Sequence, residues 1–392
     1  MRTDKLCFGT GVGAEVVQRS LRLISHPRRL AIGAAGLLAV AATALLLARQ
    51  RPVPVAVGVD LPLVNGAAID PSDRNTADLY LEQQPRSLIR LLTHFNPPDP
   101  AGGPSSIAAL KQRGVRLFVN TQASSHAVPS LPQFADGQAL AINVSAVSNA
   151  LSGRDDFFLR IVPDLTGEQQ AIARELNRLP GGSLLVLQDT GNRAYTDPAF
   201  RVFAAELARS GRWRITHRAL AITDFDARRH GALVESSHDA LYVLGGGFLP
   251  MIGNISQLFH QRNPSAPILL TPWARSAQMA ESAGPARARI RLVSSFPARR
   301  RDQRVDAHLR RFEQRFGYTP YAMALGTYQA LELLERALAS GARSPAEVKR
   351  FLLSRPEHPS SFGPIRFDAY GDVQARYHVF SLSDDQAPAA EP

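Results

Sequence analysis

The sequence predicts an α/β protein of two lobes or two domains, with a membrane-spanning helix before them. Its 392 residues exceed what one hydrophobic core usually holds. After Pro52, short apolar runs alternate with amphipathic stretches, a pattern typical of largely parallel strands joined by helices. Before Pro52, one long run of apolar residues carries no charge. A composition of 45% hydrophobic and 20% charged residues excludes disorder across the whole chain.

The N-terminal apolar run covers residues 30–48, which suffice as a helix to cross a hydrocarbon core about 30 Å thick. Eight basic and two acidic residues fall within residues 1–52, so more than half of the net charge of +11 lies there. This excess predicts a cytoplasmic segment, residues 1–29, a single-pass anchor in the cytoplasmic (inner) membrane, and a main domain in the periplasm or outside the cell. The alternative is a cleaved export signal, of twin-arginine type because Arg28 and Arg29 are adjacent, which would release the protein into the periplasm.

The exported part begins with a first block of strands and helices. A buried strand is predicted at VPVAVGVDLPL, from Val53. The segments SLIRLLTHF, IAALKQRG and VRLFVN then predict strand, helix and strand, and LAINV predicts another strand. The segment DDFFLRIVPD leads out of this block.

A second block repeats the alternation, and further helices follow it. The segments TGEQQAIARELNRL and PAFRVFAAELARSG predict helices, while GGSLLVLQD and WRITHRALAI predict strands. Residues 305–339 hold two helices, and SPAEVKRFLLS opens a third with a serine cap followed by proline. The segment FGPIRFDAYGDVQARYHVFSL predicts a terminal hairpin that turns at Tyr370 and Gly371.

Several function classes are excluded by what the sequence lacks. The only cysteine, Cys7, excludes an internal disulfide and any cysteine-rich metal cluster. No nucleophile elbow, phosphate-cradling glycine loop or zinc-protease signature is present, so we expect no enzyme, no metal and no cofactor. The basic runs at 228–229 and 299–304 lack interleaved aromatic residues, which disfavours nucleic acid. They predict a solvated face, or contact with anionic lipid headgroups.

A series of segments carries a family resemblance. The order is VGVDLPL, LFVNTQASSHA, INVSAVSNALS with FFLRIVPD, LLVLQDTGNRAY, HDALYVLGGGFLPMIGNISQLFHQ, RFGYTPYAMALGTYQALELL and FGPIRFDAYGD. From Val53 to Leu382, this order resembles the type I periplasmic binding proteins of the leucine-isoleucine-valine branch. The resemblance implies two doubly wound lobes joined by three crossovers, with a ligand held in the cleft between them.

The same resemblance implies the lobe boundaries. Lobe 1 is expected at residues 53–162 and is completed by about 293–373. Lobe 2 is expected at 163–292 and is completed by about 374–384. A polar tail, 385–392, follows.

In lobe 1, the resemblance implies that the cleft is lined at the ends of two strands. Ser124 and Ser125 follow the strand LFVN, where the family holds a ligand carboxylate; an ordinary helix cap is the competing interpretation. Ala146 matches the family alanine whose carbonyl meets a ligand amino group. Val147 replaces the family threonine, and Ser148 or Ser145 could supply the missing hydroxyl.

In lobe 2, the resemblance implies three more ligand contacts, one of them with two candidate residues. Tyr195 matches the family's aromatic contact, and Gly247 or Phe248 falls where a tyrosine is frequent. Trp273 stands where amino acid-binding members place a carboxylate against the ligand ammonium. A tryptophan favours an aromatic or apolar ligand instead, because it cannot form that ion pair. A surface tyrosine on a loop is the competing interpretation for Tyr195, and packing alone is the one for Trp273.

Two functions are therefore expected from the sequence. The first is a membrane-anchored, extracytoplasmic solute-binding protein that captures a small, carboxylate-bearing molecule for an ABC-type permease of the branched-chain amino acid kind. The second is a tethered interaction or sensory module with a degenerate site, whose partner is an envelope signalling protein.

Overall fold

The computed structural model describes residues 52–60, 63–64, 67–68, 71–96, 99–246 and 251–386. The predicted membrane segment, 30–48, and most of the polar tail lie outside these residues. In the described part of the chain, no helix combines the length and apolar character that crossing a membrane requires.

Lobe 1 is built on a five-stranded, fully parallel sheet. The strand order is β4-β1-β5-β6-β7, so the chain winds outward from β1 in both directions. The strands are β1 Val53–Asp60, β4 Ile89–Asn96, β5 Leu117–Asn120, β6 Leu140–Asn143 and β7 Phe158–Arg160. A small antiparallel pair, β2 Leu63–Val64 and β3 Ala67–Ala68, follows β1.

Lobe 2 is built on a six-stranded sheet with the order β13-β12-β11-β10-β8-β9. Five strands are parallel, and β13 is antiparallel to β12. The strands are β8 Gly182–Asp189, β9 Trp213–Leu220, β10 Ala240–Leu244, β11 Ile268–Leu270, β12 Ile290–Ser294 and β13 His378–Ser381.

Helices cover both faces of each sheet, as the alternating sequence pattern requires. In lobe 1 they are α1 Ser72–Gln83, α2 Gly102–Gln112, α3 Ser124–Ser130, α9 Gln303–Phe316, α10 Ala324–Ala339 and α11 Pro345–Leu353. In lobe 2 they are α4 Leu165–Leu176, α5 Arg193–Ala208, α6 Ala227–Val234, α7 Ile252–Arg262, α8 Ala277–Ser282 and α12 Leu382–Gln386.

The two faces of each sheet form separate hydrophobic layers because successive side chains of a strand alternate in direction. In β8, Leu185 and Leu187 pack toward α7 and α8, whereas Leu184 and Val186 pack toward α4 and α5. The same division occurs in lobe 1, where one layer includes α1, α10 and α11 and the other includes α2 and α3. Buried strands of this kind read as continuous apolar runs, which is how the sequence predicted them.

Three crossovers join the lobes, at 161–164, 295–302 and 374–377. β12 pairs within the sheet of lobe 2 up to Ser294, so the return to lobe 1, predicted at about 293, follows that residue. The predicted tail, 385–392, begins too early. Asp385 lies in α12 and forms a bidentate ion pair with buried Arg275, which needs a counter-ion at that depth.

The predicted terminal hairpin is only partly formed. Phe367 and Val373 make one antiparallel bridge around the turn at Tyr370 and Gly371. The strand that follows crosses to lobe 2 and pairs with β12 instead. Its apolar residues pack against the edge of the lobe 2 sheet. That edge is distant in the sequence, so the local sequence does not predict it.

Candidate ligand-binding cleft

The cleft side of each lobe is the edge where the parallel strands end. In a doubly wound sheet, the crevice opens where neighbouring connections leave toward opposite faces. In lobe 1 this point lies between β1 and β5, and in lobe 2 it lies between β8 and β10. Ser125 follows β5, while Asn192 follows β8 and Gly246 follows β10. The topology therefore brings these three residues to the crevice.

Ser125 and Asn192 are in direct contact across the cleft. The backbone N–H and the hydroxyl of Ser125 both donate to Oδ1 of Asn192, each at 2.9 Å. On its other side, Nδ2 of Asn192 donates to the carbonyl oxygen of Gly246 at 2.5 Å. Ser125 thus presents two converging donors to a single oxygen, an arrangement suited to a carboxylate.

Gly246 permits this arrangement because its backbone lies very close to two side chains. A Cβ atom at Gly246 would stand 2.6 Å from Cβ of Asn192 and 2.8 Å from Oδ2 of Asp189. Asp189 is buried and accepts backbone N–H groups from Gly191 and Ile222, both at 3.1 Å. Burial raises the pKa of Asp189, and these backbone hydrogen bonds oppose the rise. Asp189 shapes the loop that carries Asn192.

Ser124 has a different role from Ser125. Its side chain is fully buried, and its hydroxyl oxygen accepts the backbone N–H of Ser148 at 3.1 Å. Neither serine caps α3, because the residue before the helix is Ala123 and no side chain caps it. The structure thus brings together the predicted residues Ser124 and Ser148, and Ser124 anchors one strand-end loop to the next.

Two buried asparagines fix the loop that carries Ala146 and Ser148. Nδ2 of Asn143 donates to Oδ1 of Asn120 at 2.6 Å. Oδ1 of Asn143 accepts the backbone N–H groups of Ser145 at 3.0 Å and Ala146 at 2.6 Å. These polar residues at the ends of β5 and β6 were not singled out from the sequence. The feature that could have identified them is an asparagine at the end of each apolar strand, Asn120 in β5 and Asn143 in β6.

The carbonyl oxygen of Ala146 faces a positive charge. Nη1 of Arg160 lies 3.5 Å from it and donates to the carbonyl of Ser148 at 3.1 Å. The Arg160 side chain is 1% exposed and pairs with Asp372, Nη2 to Oδ1 at 2.7 Å. Arg160 therefore competes for the carbonyl oxygen at which the resemblance implied a ligand amino group.

Val147 and Trp273 belong to an apolar layer that is continuous with lobe 2. Val147 is 1% exposed, and Trp273 is 2% exposed. Their layer also holds Tyr321 and Met323, which lie in the segment before α10. The Nε1–H of Trp273 is buried and has no hydrogen-bond partner among the described residues. A buried donor without a partner is costly, so this group is a candidate ligand contact.

The position of Tyr195 corrects a sequence prediction. Its side chain is fully buried in lobe 2, and its hydroxyl donates to Oε1 of Glu168 on α4. The hydroxyl expected to meet a ligand is therefore used inside the lobe, because a buried carboxyl group needs a donor. The residue of this segment that reaches lobe 1 is Asn192, three positions earlier.

The remaining predicted contacts, Gly247 and Phe248, lie outside the described residues. Ser145 has a buried hydroxyl without a hydrogen-bond partner among the described residues. By contrast, the Ser148 hydroxyl oxygen accepts the Ala150 N–H at 3.3 Å and caps a short turn. Of the two predicted replacements for the family threonine, Ser145 keeps its hydroxyl available. Within the described part of the chain, no three His, Cys, Asp or Glu side chains are grouped to hold a metal ion.

The sequence matches no protein-family model, and it matches no curated protein. Solved structures do match its fold. A leucine-binding protein from Thermotoga maritima is 18% identical with a TM-score of 0.70, and the match covers 83% of this chain and 94% of that one.

Two further structures match over similar lengths. A branched-chain amino acid transporter substrate-binding protein from Streptococcus pneumoniae, in complex with isoleucine, is 16% identical with a TM-score of 0.72, covering 87% of this chain and 100% of that one. A solute-binding protein of an ABC transporter from Rhodopseudomonas palustris, in complex with 3,4-dihydroxybenzoic acid, is 16% identical with a TM-score of 0.71, covering 83% and 92%.

These likenesses define the fold class. The two doubly wound lobes, their strand orders and the three crossovers are those of type I periplasmic binding proteins. The resemblance seen in the sequence is confirmed at the level of this fold.

Proposed function

We propose that this chain is an extracytoplasmic solute-binding protein that captures a small carboxylate-bearing molecule between its lobes. It acts by binding and not by catalysis. Closure about the crossovers traps the ligand, and differential affinity for the closed form stabilises it.

The observation that carries the proposal is the pair of donors on Ser125. The N–H and the hydroxyl point at one oxygen, which in this structure belongs to the Asn192 amide. A carboxylate oxygen accepts such hydrogen bonds more strongly than a neutral amide oxygen does. A ligand carboxylate would therefore displace Asn192 from Ser125, and Asn192 would keep its hydrogen bond to Gly246.

The surroundings favour a ligand without an ammonium group. Arg160 lies beside the Ala146 carbonyl, where the sequence resemblance implied an amino contact. The resemblance implies that Trp273 stands at the position of the family's carboxylate, and Asp189 is engaged by backbone N–H groups. An aromatic carboxylate would contact the edge of the indole ring and accept its N–H. Gly247 and Phe248 are proposed as further ligand contacts, as the resemblance implied.

The membrane anchor at 30–48 and an ABC-type permease partner complete the proposal. Support for the anchor comes from the uncharged run and its basic flank in the sequence. Support for the partner comes from the structural neighbours, which are described as substrate-binding proteins of ABC transporters. Release to the periplasm after cleavage is the alternative form of the same protein.

A second candidate function is favoured by the same contact. Because Asn192 bridges Ser125 and Gly246, the chain's own side chain joins the lobes. A module held closed in this way would present a fixed surface to an envelope signalling protein and would need no ligand.

A ligand screen tests the two functions. The full chain in a non-ionic detergent is heated with benzoate, 3,4-dihydroxybenzoate, leucine or isoleucine, and unfolding is followed by fluorescence of Trp213 and Trp273. We expect the aromatic acids to raise the melting temperature at millimolar concentration, since a ligand that binds only the folded state stabilises it. Benzamide, which lacks the charge, is the matched control and should do little. Unchanged melting with every acid would reject solute capture and favour the second function.

A further inference from the structure

A cavity lies beside the crossovers, separate from the cleft. Its volume is about 460 Å³, and none of the predicted cleft residues lines it. Part of its lining comes from α4, including Gly167 and Arg174, and from Arg178 just after that helix. The rest comes from Arg301 and from the segment 375–379, which includes the first residues of β13. Cavities of this size commonly hold small ligands.

All three crossovers contribute to this cavity or border it. Arg301 belongs to the second crossover, and Arg376 and Tyr377 belong to the third. The Tyr377 hydroxyl donates to the carbonyl oxygens of Pro163 at 3.5 Å and Asp164 at 3.2 Å, on the first crossover. A Cβ atom at Gly167 would meet the Tyr377 ring at 3.3 Å, so a glycine there lets the third crossover pack closely on α4.

The lining of the cavity is strongly basic. Four arginines face one carboxylate, Glu175, and that carboxylate already pairs with Arg178 at 2.6 Å and with Arg291 at 3.4 Å. Arg301 has a longer contact of 3.4 Å with Asp384. Among the described residues, no carboxylate pairs with Arg174 or Arg376. The cavity therefore carries excess positive charge.

The ionisation of His378, which also lines the cavity, agrees with that excess. Burial lowers the pKa of His378, and the charges of Arg376, Arg275 and Arg301 lower it further, while Asp302 acts in the opposite direction. A neutral imidazole remains able to donate one hydrogen bond. The cavity thus offers guanidinium and imidazole donors without a matching number of acceptors.

We propose that this cavity binds a small phosphate-type anion between the crossovers. Arginine forks match the oxygens of phosphate in pairs, and concave walls concentrate the field of several charges. Arg301 lies in the basic run at 299–304 for which the sequence predicted anionic contacts, and the structure gives that run a concave site. The anion could be free in solution or could belong to a lipid headgroup, since both present the same phosphate oxygens.

Anion binding in this cavity would restrict the motion of the lobes. Arg301 and Arg376 lie on different crossovers, and Arg174 lies on the first helix of lobe 2. An anion held by all three fixes their spacing, and lobe closure turns about these segments. The bound anion would therefore favour one lobe arrangement over the other.

Calorimetry with inorganic pyrophosphate tests the site. The full chain in a non-ionic detergent is compared with the double variant Arg174→Gln/Arg376→Gln and with the control Arg228→Gln/Arg229→Gln on exposed α6. All four substituted side chains are exposed, so folding should be preserved. We expect the unchanged chain and the control to bind pyrophosphate, more weakly as salt is added. The cavity variant should lose affinity by about tenfold or more, as loss of hydrogen bonds to a charged group does.

A second arm identifies the source of the anion. Phosphatidylglycerol or phosphatidylcholine is added to the detergent micelles while pyrophosphate binding is measured. Displacement by phosphatidylglycerol alone would support a headgroup site, and no displacement by either lipid would support a soluble anion. Absence of pyrophosphate binding at millimolar concentration, or equal binding by the cavity variant, would overturn the proposal. Neither result bears on the cleft, which shares no lining residue with this cavity.

Discussion

Ser125 and Asn192 hold the two lobes together through one oxygen atom. The serine N–H and hydroxyl both donate to Oδ1 of Asn192 at 2.9 Å, and Asn192 is itself held by the carbonyl oxygen of Gly246. The amide oxygen lies where a ligand carboxylate would lie. A ligand carboxylate and the Asn192 amide oxygen therefore compete for the same two donors.

Substitution of Asn192 should change carboxylate affinity in opposite directions. Asn192→Ala frees the Ser125 donors, so we expect an aromatic acid to bind about fivefold more tightly, the equivalent of about 1 kcal/mol. Asn192→Asp offers Ser125 a permanent carboxylate and should abolish binding. Calorimetry on the three proteins measures both effects. Identical affinities would place the ligand away from Ser125.

Substitution of Ser125 should weaken ligand binding, whereas substitution of Ser124 should lower folding stability. Ser125→Ala removes one donor to the ligand and should weaken a carboxylate by about 1 to 3 kcal/mol with little change in melting temperature. Ser124→Ala leaves the buried Ser148 N–H without its acceptor and should cost about 1 to 3 kcal/mol of folding free energy. Ser354→Ala, on an exposed helix end of lobe 1, is the control. Equal effects of both cleft variants on binding would contradict these roles.

The indole N–H of Trp273 should matter only when ligand is bound. Trp273→Phe keeps an aromatic ring and removes a buried donor without a partner, so the free protein should be at least as stable as before. Ligand affinity should fall by about tenfold if a ligand oxygen accepts that N–H. Trp213→Phe removes another buried indole N–H without a partner, outside the cleft, and is the matched control. If calorimetry shows the same ligand affinity for Trp273→Phe and Trp213→Phe, the role of Trp273 is packing alone.

Trp273→Glu would place a carboxylate where the family resemblance implies a partner for the ammonium of an α-amino acid. Trp273 is 2% exposed within an apolar layer. A carboxylate there would be buried without a partner in the free protein, which is costly. We expect the loss of melting temperature to outweigh any gain in leucine binding, and thermal unfolding with and without leucine measures both effects.

Glu168 should make folding stability depend on pH. The carboxyl group is fully buried, and burial raises its pKa from 4.5 to about 7, although the hydrogen bonds from Tyr195 and Gln169 act in the other direction. The folded chain thus holds this proton more tightly than the unfolded chain does. The resulting stability is fully present below about pH 4.5 and is lost as pH rises through about 7.

The comparison with Glu168→Gln isolates this effect. The variant keeps the shape of the protonated acid and cannot ionise. Between about pH 5 and pH 8, the unfolding free energy of the unchanged chain should fall relative to the variant, by on the order of 2 kcal/mol. Denaturant titrations at several pH values measure that difference. The contributions of other titratable groups, such as His378, are common to both proteins and cancel. A constant difference across the range would contradict the pKa of Glu168.

Some residues of the strand-end loops could be placed at the cleft from the sequence because their signal is local. Ser124, Ser125, Ala146 and Ser148 follow apolar strands directly, and parallel strands end at the cleft. Tyr195 was placed wrongly because its turn of α5 offers several directions, and the buried Glu168 on another helix determines which one the tyrosine takes. Asn192 was missed because its partner, Ser125, lies 67 residues earlier in the sequence.

The sequence by itself determined the alternation of strands and helices, the division into two lobes and the uncharged run before them. These properties depend on the length of the chain and on hydrophobic periodicity. Periodicity is a local pattern that a few neighbouring residues already show. Only the tertiary structure decided that Asn192 fills the Ser125 donors and that Arg174, Arg301 and Arg376 share one cavity. Those contacts depend on how distant segments meet across the cleft and the crossovers, and the spacing of residues along the chain does not encode that meeting.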